Sequence, residues 1–157
     1  MNTNFRIVGL RRAQFEPLFS LNDKQLAAKK ARRMIADAKP GFPCRIGLAD
    51  ADIGETVILL PFIHHDVDSP HRASGPIFVR ENANETNLAS GAIPELVTSR
   101  TMSARAYDAK GMMVDGSVVP GPNMKSHIEE LFANPKIAYL HLHNAGAGCY
   151  SCKVERA

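Results

Sequence analysis

The chain has 157 residues, enough for one domain, residues 1–157, with its own hydrophobic core and no need of disulfide staples. Hydrophobic residues make up 45% of it and charged residues 22%, a balance that excludes a disordered tail or a membrane-spanning bundle. The absence of Trp disfavours a base-stacking surface, and three cysteines, an odd number without framework spacing, argue against a secreted disulfide scaffold.

Taken in order, Phe5–Leu10 reads as a short strand and AQFEPLFSL as a helical turn. Ser20 and Asn22 are N-cap residue types for a helix running to about Lys30, with Leu26 inward and the lysines outward. Residues 11–33 carry seven basic side chains against Glu16 and Asp23, a run that reads first as a solvated helix face. A basic interaction module for nucleic acid or an acidic partner is the alternative reading. Residues 33–36 suggest a strand that Lys39-Pro40-Gly41-Phe42-Pro43 must break, since two prolines cannot sit in a ladder. Cys44–Leu48 then suggests a brief strand, and Glu55–His65 a central one in which Pro61 demands an edge or a bulge. His64 and His65 should face opposite ways, so at most one should reach a shared site.

Asp66–Pro76 (DVDSPHRASGP) is a polar loop before a strand at Ile77–Arg80. Loops between rigid strands commonly carry binding chemistry. Here Arg72, flanked by Ser69 and Ser74, suits a carboxylate or phosphate, and His71 an acid or base near neutral pH. The same arginine pinning the loop to the protein is the competing explanation. Beyond the loop Glu81–Gly91, a helical turn is expected in Ala92–Val97 and a hairpin in Thr98–Asp108 and Met112–Val119 around Asp108-Ala109-Lys110-Gly111. Arg100 and Arg105 in that hairpin suggest surface salt bridges. Pro122 opens a helix to about Ala133 with Met124, Ile128, Leu131 and Phe132 on one stripe.

The end of the chain, Tyr139–Arg156 (YLHLHNAGAGCYSCKVER), gathers two histidines and two cysteines in a hairpin. A period of two puts Leu140 and Leu142 on one face and Tyr139, His141 and His143 on the other, away from the main core. In the register that opposes like faces, Cys149 lies across from His143. That permits an activated thiol, with Cys149 as nucleophile and His143 as base. It also permits His141, His143 and Cys149 to hold a transition metal, zinc being the ion of that alternative. An ordinary solvated sheet face satisfies the pattern as well. Cys149-x-x-Cys152 lacks a second CxxC or a strand-to-helix context, so neither a redox motif nor a zinc half-site is read from it.

Several separated segments carry a resemblance: SPHRASGPIFVR at Ser69–Arg80, KPGFPCR at Lys39–Arg45, RAYD at Arg105–Asp108, and HLHN with Gly148-Cys149 near the end. Together they resemble the bacterial domain-of-unknown-function family 1203 over nearly the whole chain. The resemblance implies a stand-alone bacterial domain and no particular reaction.

The expected fold is α+β, one domain with a mostly antiparallel sheet of six to eight strands and two or three packed helices. The expected function is a small enzyme or binding protein for an anionic small molecule, with Cys149 and His143 reactive and Arg72, Ser74, His71 and Ser69 binding. No cofactor is expected outside the metal alternative. No stretch is apolar enough for a signal peptide or a membrane span, so a cytoplasmic setting is expected. Substrate and oligomeric state are left open.

Overall fold

Alternating segments of the chain become eight strands, in order β1 (Phe5–Val8), β2 (Arg32–Ile35), β3 (Thr56–His65), β4 (Ala73–Arg80), β5 (Thr101–Tyr107), β6 (Met113–Pro120), β7 (Tyr139–Asn144) and β8 (Tyr150–Arg156). The computed structural model describes residues 3–157. The strands form two antiparallel sheets rather than one, with orders β1-β8-β7-β5-β6 and β2-β3-β4. Four α-helices accompany them among the described residues: α1 (Glu16–Phe19), α2 (Asp23–Ala28), α3 (Glu95–Thr98) and α4 (Met124–Phe132). The domain is thus α+β and mostly antiparallel. No helix among the described residues is long and apolar enough to cross a membrane.

Helix α2 begins where its cap dictates. The Asn22 side chain accepts from the Gln25 N–H at 2.8 Å, and Gln25 Oε1 accepts from the Asn22 N–H at 2.9 Å, a reciprocal box that satisfies two free donors. It stops at Ala28, short of Lys30, because Lys30 takes a left-handed φ of 59° that no helix continues through. Helix α4 buries the expected stripe of Met124, Ile128, Leu131 and Phe132 against one face of the large sheet. That face is Met102, Ala104 and Ala106 of β5, Leu140 and Leu142 of β7, and Cys152 and Val154 of β8. Fully burying such aliphatic side chains contributes about 1.5–3 kcal/mol each, so this layer is the main source of cohesion.

The small sheet has its own core of Leu26, Ile58, Leu60, Ile77 and Val79, joined by Cys44 and Ile46. Cys44–Leu48, expected as a strand, is instead a buried turn with one isolated bridge from Cys44 to Phe78. The Leu48 N–H closes that turn onto Cys44 O at 3.1 Å, which leaves its groups no ladder to join. The polar loop is also shorter than expected, because β4 already starts at Ala73 and places Ser74 and Gly75 in the sheet. Pro61 faces Pro76 across β3 and β4, and the register slips between Phe62 and His65. The bulge bends the end of β3.

Candidate functional site

A second irregularity shapes the site. In the terminal hairpin Leu140 pairs with Val154 and Leu142 with Cys152, as alternation requires, but the next pair is His143 with Tyr150. Ser151 is therefore the extra residue of a bulge, and Tyr150 joins the histidine face instead of the face of Cys152. Cys149 is pushed out of the ladder into the connecting loop. The expected pairing of Cys149 with His143 is corrected accordingly. An Asn144 backbone N–H bonded to Cys149 O at 2.9 Å, and a Gly148 φ of 83°, hold that loop.

The histidine face is not solvated, contrary to its reading as a surface. His141 and His143 are buried, because the bent end of β3 folds over them. The His64 ring centre lies 5.0 Å from that of His143 and 6.4 Å from that of His141, and stacks on Tyr150 at 5.4 Å. One ring nitrogen from each of His64, His141 and His143 lies within 4.8 Å of the others. Ligands on an ideal tetrahedral zinc ion are about 3.3 Å apart, so modest side-chain closure completes such a site.

Hydrogen bonding makes this trio unusual. His64 Nδ1, His141 Nδ1 and His143 Nε2 are all buried without a hydrogen-bond partner. An unsatisfied buried polar group costs about 1–3 kcal/mol, and three in one cluster call for an explanation. For His143 the tautomer follows from its neighbour. Its Nδ1 sits 2.9 Å from Gly148 O, which can only accept, so the proton is on Nδ1 and the Nε2 lone pair is free. Burial lowers the His64 and His143 pKa values to about 4 and that of His141 to about 2, so the rings are neutral at pH 7. Neutral imidazole is the form that binds metal.

His65 shows the contrast. Both histidines at the end of β3 approach the site, since the His65 ring centre is 5.0 Å from that of His141. The regular-strand expectation of one inward and one outward ring fails at the bulge. Yet His65 Nδ1 donates to His71 O at 2.8 Å and its Nε2 accepts from the Tyr139 hydroxyl at 2.6 Å, so no nitrogen remains for a metal. It packs the site instead, with its ring centre 4.0 Å from that of Tyr107.

Beside the trio lies a cavity of about 720 Å³ bordered by His64, Arg45, Ser74, Arg100, Asn144 and Cys149. Cys149 accepts from Asn144 Nδ2 at 3.3 Å and lies within hydrogen-bonding reach of Arg45. Of the residues expected to bind, Ser74 borders this cavity, together with Cys149, the expected nucleophile. Arg72 points elsewhere, exposed and paired with Asp66, as the pinning alternative has it. The Ser69 hydroxyl donates to Gly111 O at 2.9 Å and accepts from the His71 N–H at 3.1 Å, roles that order the loop. Cys149 lies outside the group of side chains close enough together to share an ion, whereas His141 and His143 lie within it. Arg12 and Arg33 of the basic run donate to backbone carbonyls, and Arg33 also pairs with Glu81 at 2.8 Å.

Sequence reasoning missed Tyr150, Arg45 and Arg105. Arg45 stands in the apolar string Cys44-Arg45-Ile46, a position where a charged residue is itself a signal. Arg105 was expected in a surface salt bridge and makes none among the described residues.

No curated protein and no solved structure matches the chain. Residues 41–156 match the family described as Protein of unknown function (DUF1203), so by a match covering most of its length, and all of the site just described, the chain belongs to that family.

Proposed function

We propose that this is a transition-metal-binding protein whose centre is His64, His141 and His143. The observation that carries the reading is the convergence of three neutral imidazoles, the half-buried His64 and the buried His141 and His143, each with a buried nitrogen that has no hydrogen-bond partner. Three nitrogen ligands without a carboxylate suit zinc among the abundant divalent ions and leave a coordination position open. His64 borders the cavity, so that position is reachable by a small molecule. An ion so held would polarise an oxygen-bearing ligand or make bound water a nucleophile near neutral pH. The chain's own part is to fix the rings: Gly148 O sets the His143 tautomer, and Tyr150 and His65 pack the trio from either side.

Cys149 belongs to this reading as a cavity residue rather than a ligand. The three free cysteines fit a reducing, cytoplasmic setting, which we include in the proposal.

The test is elemental analysis of protein purified without a nickel column, then incubated with zinc and gel-filtered. About one equivalent of zinc is expected in the wild type and in His65→Gln, and a sharp loss in His64→Ala and His143→Ala. Less than about a tenth of an equivalent in the wild type would overturn the reading.

A further inference from the structure

We infer that the ligand completing this centre is a small oxyanion, a carboxylate or a phosphate, drawn there by Arg105 and Arg45. The inference rests on the metal reading and names the chemistry of what binds beside the ion.

Several arginines in this fold are matched to carboxylates, and these two are not. Three partly buried guanidinium groups are matched to carboxylates, Arg33 to Glu81 at 2.8 Å, Arg100 to Asp50 at 2.7 Å, and Arg80 to Glu55, while Arg156 donates to the backbone carbonyls of Phe132, Asn134 and Ile137. Among the described residues no Asp or Glu lies within 4 Å of Arg45 or Arg105. Arg45 is only 1% exposed, and an unmatched cation at that depth is costly. It donates to Tyr150 O at 2.8 Å and to Pro43 O and has the Cys149 thiol within reach, and none of these is a carboxylate.

Both of these arginines flank the histidine trio. Arg105 stands directly opposite His141 on the neighbouring strand, where side chains are about 4.5–5.5 Å apart at Cβ. Its side-chain hydrogen-bond partners are neutral, Ser103 at 3.5 Å and the Tyr107 hydroxyl. Arg45 donates to the carbonyl of Tyr150, the residue that pairs with His143 across the terminal hairpin. Lys153, opposite His141 on β8, is paired with Glu155 at 3.3 Å, so with a divalent ion added the unpaired charge is that of the two guanidinium groups and the ion, with no carboxylate among the described residues within 4 Å of either arginine.

An oxyanion answers that imbalance: one oxygen reaches the ion's open position and another accepts from a guanidinium. The cavity, which Arg45 and His64 border, has room for it on the Arg45 side. A Cβ built on Gly75 or on Gly146 meets nothing within 4 Å, so the two strips of backbone at its rim are open. Arg100, on the same wall, is already neutralised by Asp50 and adds no net attraction.

The experiment uses the full chain loaded with cobalt(II) in place of zinc and follows the visible absorption of the ion while oxalate, or separately inorganic phosphate, is added. A saturable change with at least one of the two is expected. Arg105→Gln should still bind one equivalent of cobalt yet weaken the anion about tenfold or more, the loss of one charge-assisted hydrogen bond. Arg45→Lys, which keeps the charge but not the fork, should weaken it as well and guards against a folding defect from emptying a buried site. A response to oxalate alone assigns a carboxylate and a response to phosphate alone a phosphate. Cobalt that is retained but insensitive to both anions, or equal anion affinity in wild type and Arg105→Gln, overturns the inference and leaves the metal centre standing. Failure to hold cobalt at all overturns both.

Discussion

The two faces of the large sheet differ as much as two proteins would. On one, Ala104, Ala106, Leu140, Leu142, Cys152 and Val154 close against α4 in hydrocarbon. On the other, the same strands present Arg105, Tyr139, His141 and His143, covered by the end of β3, with buried nitrogens left unsatisfied. Residues adjacent in sequence serve opposite ends: the first face supplies cohesion, and the second gives some of it up to keep lone pairs available. A fold that only had to be stable would fill the second face with apolar side chains as well.

The sharpest way to test that division is on the apolar face. Leu142→Ala should cost about 2–5 kcal/mol in urea unfolding while leaving zinc stoichiometry per folded molecule unchanged. A loss of zinc in the folded fraction would show that the faces are not independent.

Acid should act through the other face. The trio's folded pKa values, about 4 for His64 and His143 and about 2 for His141, lie below the ordinary value of 6.5. Below pH 6.5 the unfolded chain therefore takes up protons that the native state refuses. Metal-free protein should hold its stability above about pH 6.5 and lose it progressively as pH falls toward 4. Urea midpoints measured at intervals across that window check it, and His141→Leu should flatten the slope. An unchanged midpoint from pH 7 to pH 5 would contradict the burial of neutral rings.

Zinc should reverse the cost of the unpaired nitrogens. At a free concentration a hundredfold above its dissociation constant it should stabilise the wild type by about 2.7 kcal/mol, removable with a chelator. His143→Ala should show no such gain in the same thermal melt. The smallest effect belongs to Arg72→Ala, whose side chain is exposed on the loop. It should change stability by less than about 0.5 kcal/mol and leave zinc and oxalate binding as they were.

How far the sequence disclosed this follows from where alternation is regular. Strand β7 was legible because its apolar residues recur at period two, β3 because it is the most apolar run, β5 and β6 from the turn Asp108-Ala109-Lys110-Gly111 between them, and α4 because its stripe recurs at helical spacing. The pairing of Cys149 with His143 failed at the Ser151 bulge, and the splitting of His64 from His65 failed at the bulge near Phe62. A bulge is one residue out of register and leaves little trace in local composition. The burial of the histidine face was hidden for another reason: it depends on a second sheet folding over the first, a contact between distant segments that periodicity within either cannot reveal. Arg72 drew attention by its polar neighbours, while Arg45, lodged in an apolar string, turned out to border the site.

The most direct test of the centre is X-ray absorption at the zinc edge on zinc-loaded wild-type protein. The account predicts nitrogen or oxygen neighbours at about 2.0 Å with the outer-shell signature of three imidazoles and no sulfur. A sulfur shell at about 2.3 Å would put Cys149 on the ion, and a purely oxygen shell would remove the histidines from it; either result contradicts the assignment of His64, His141 and His143.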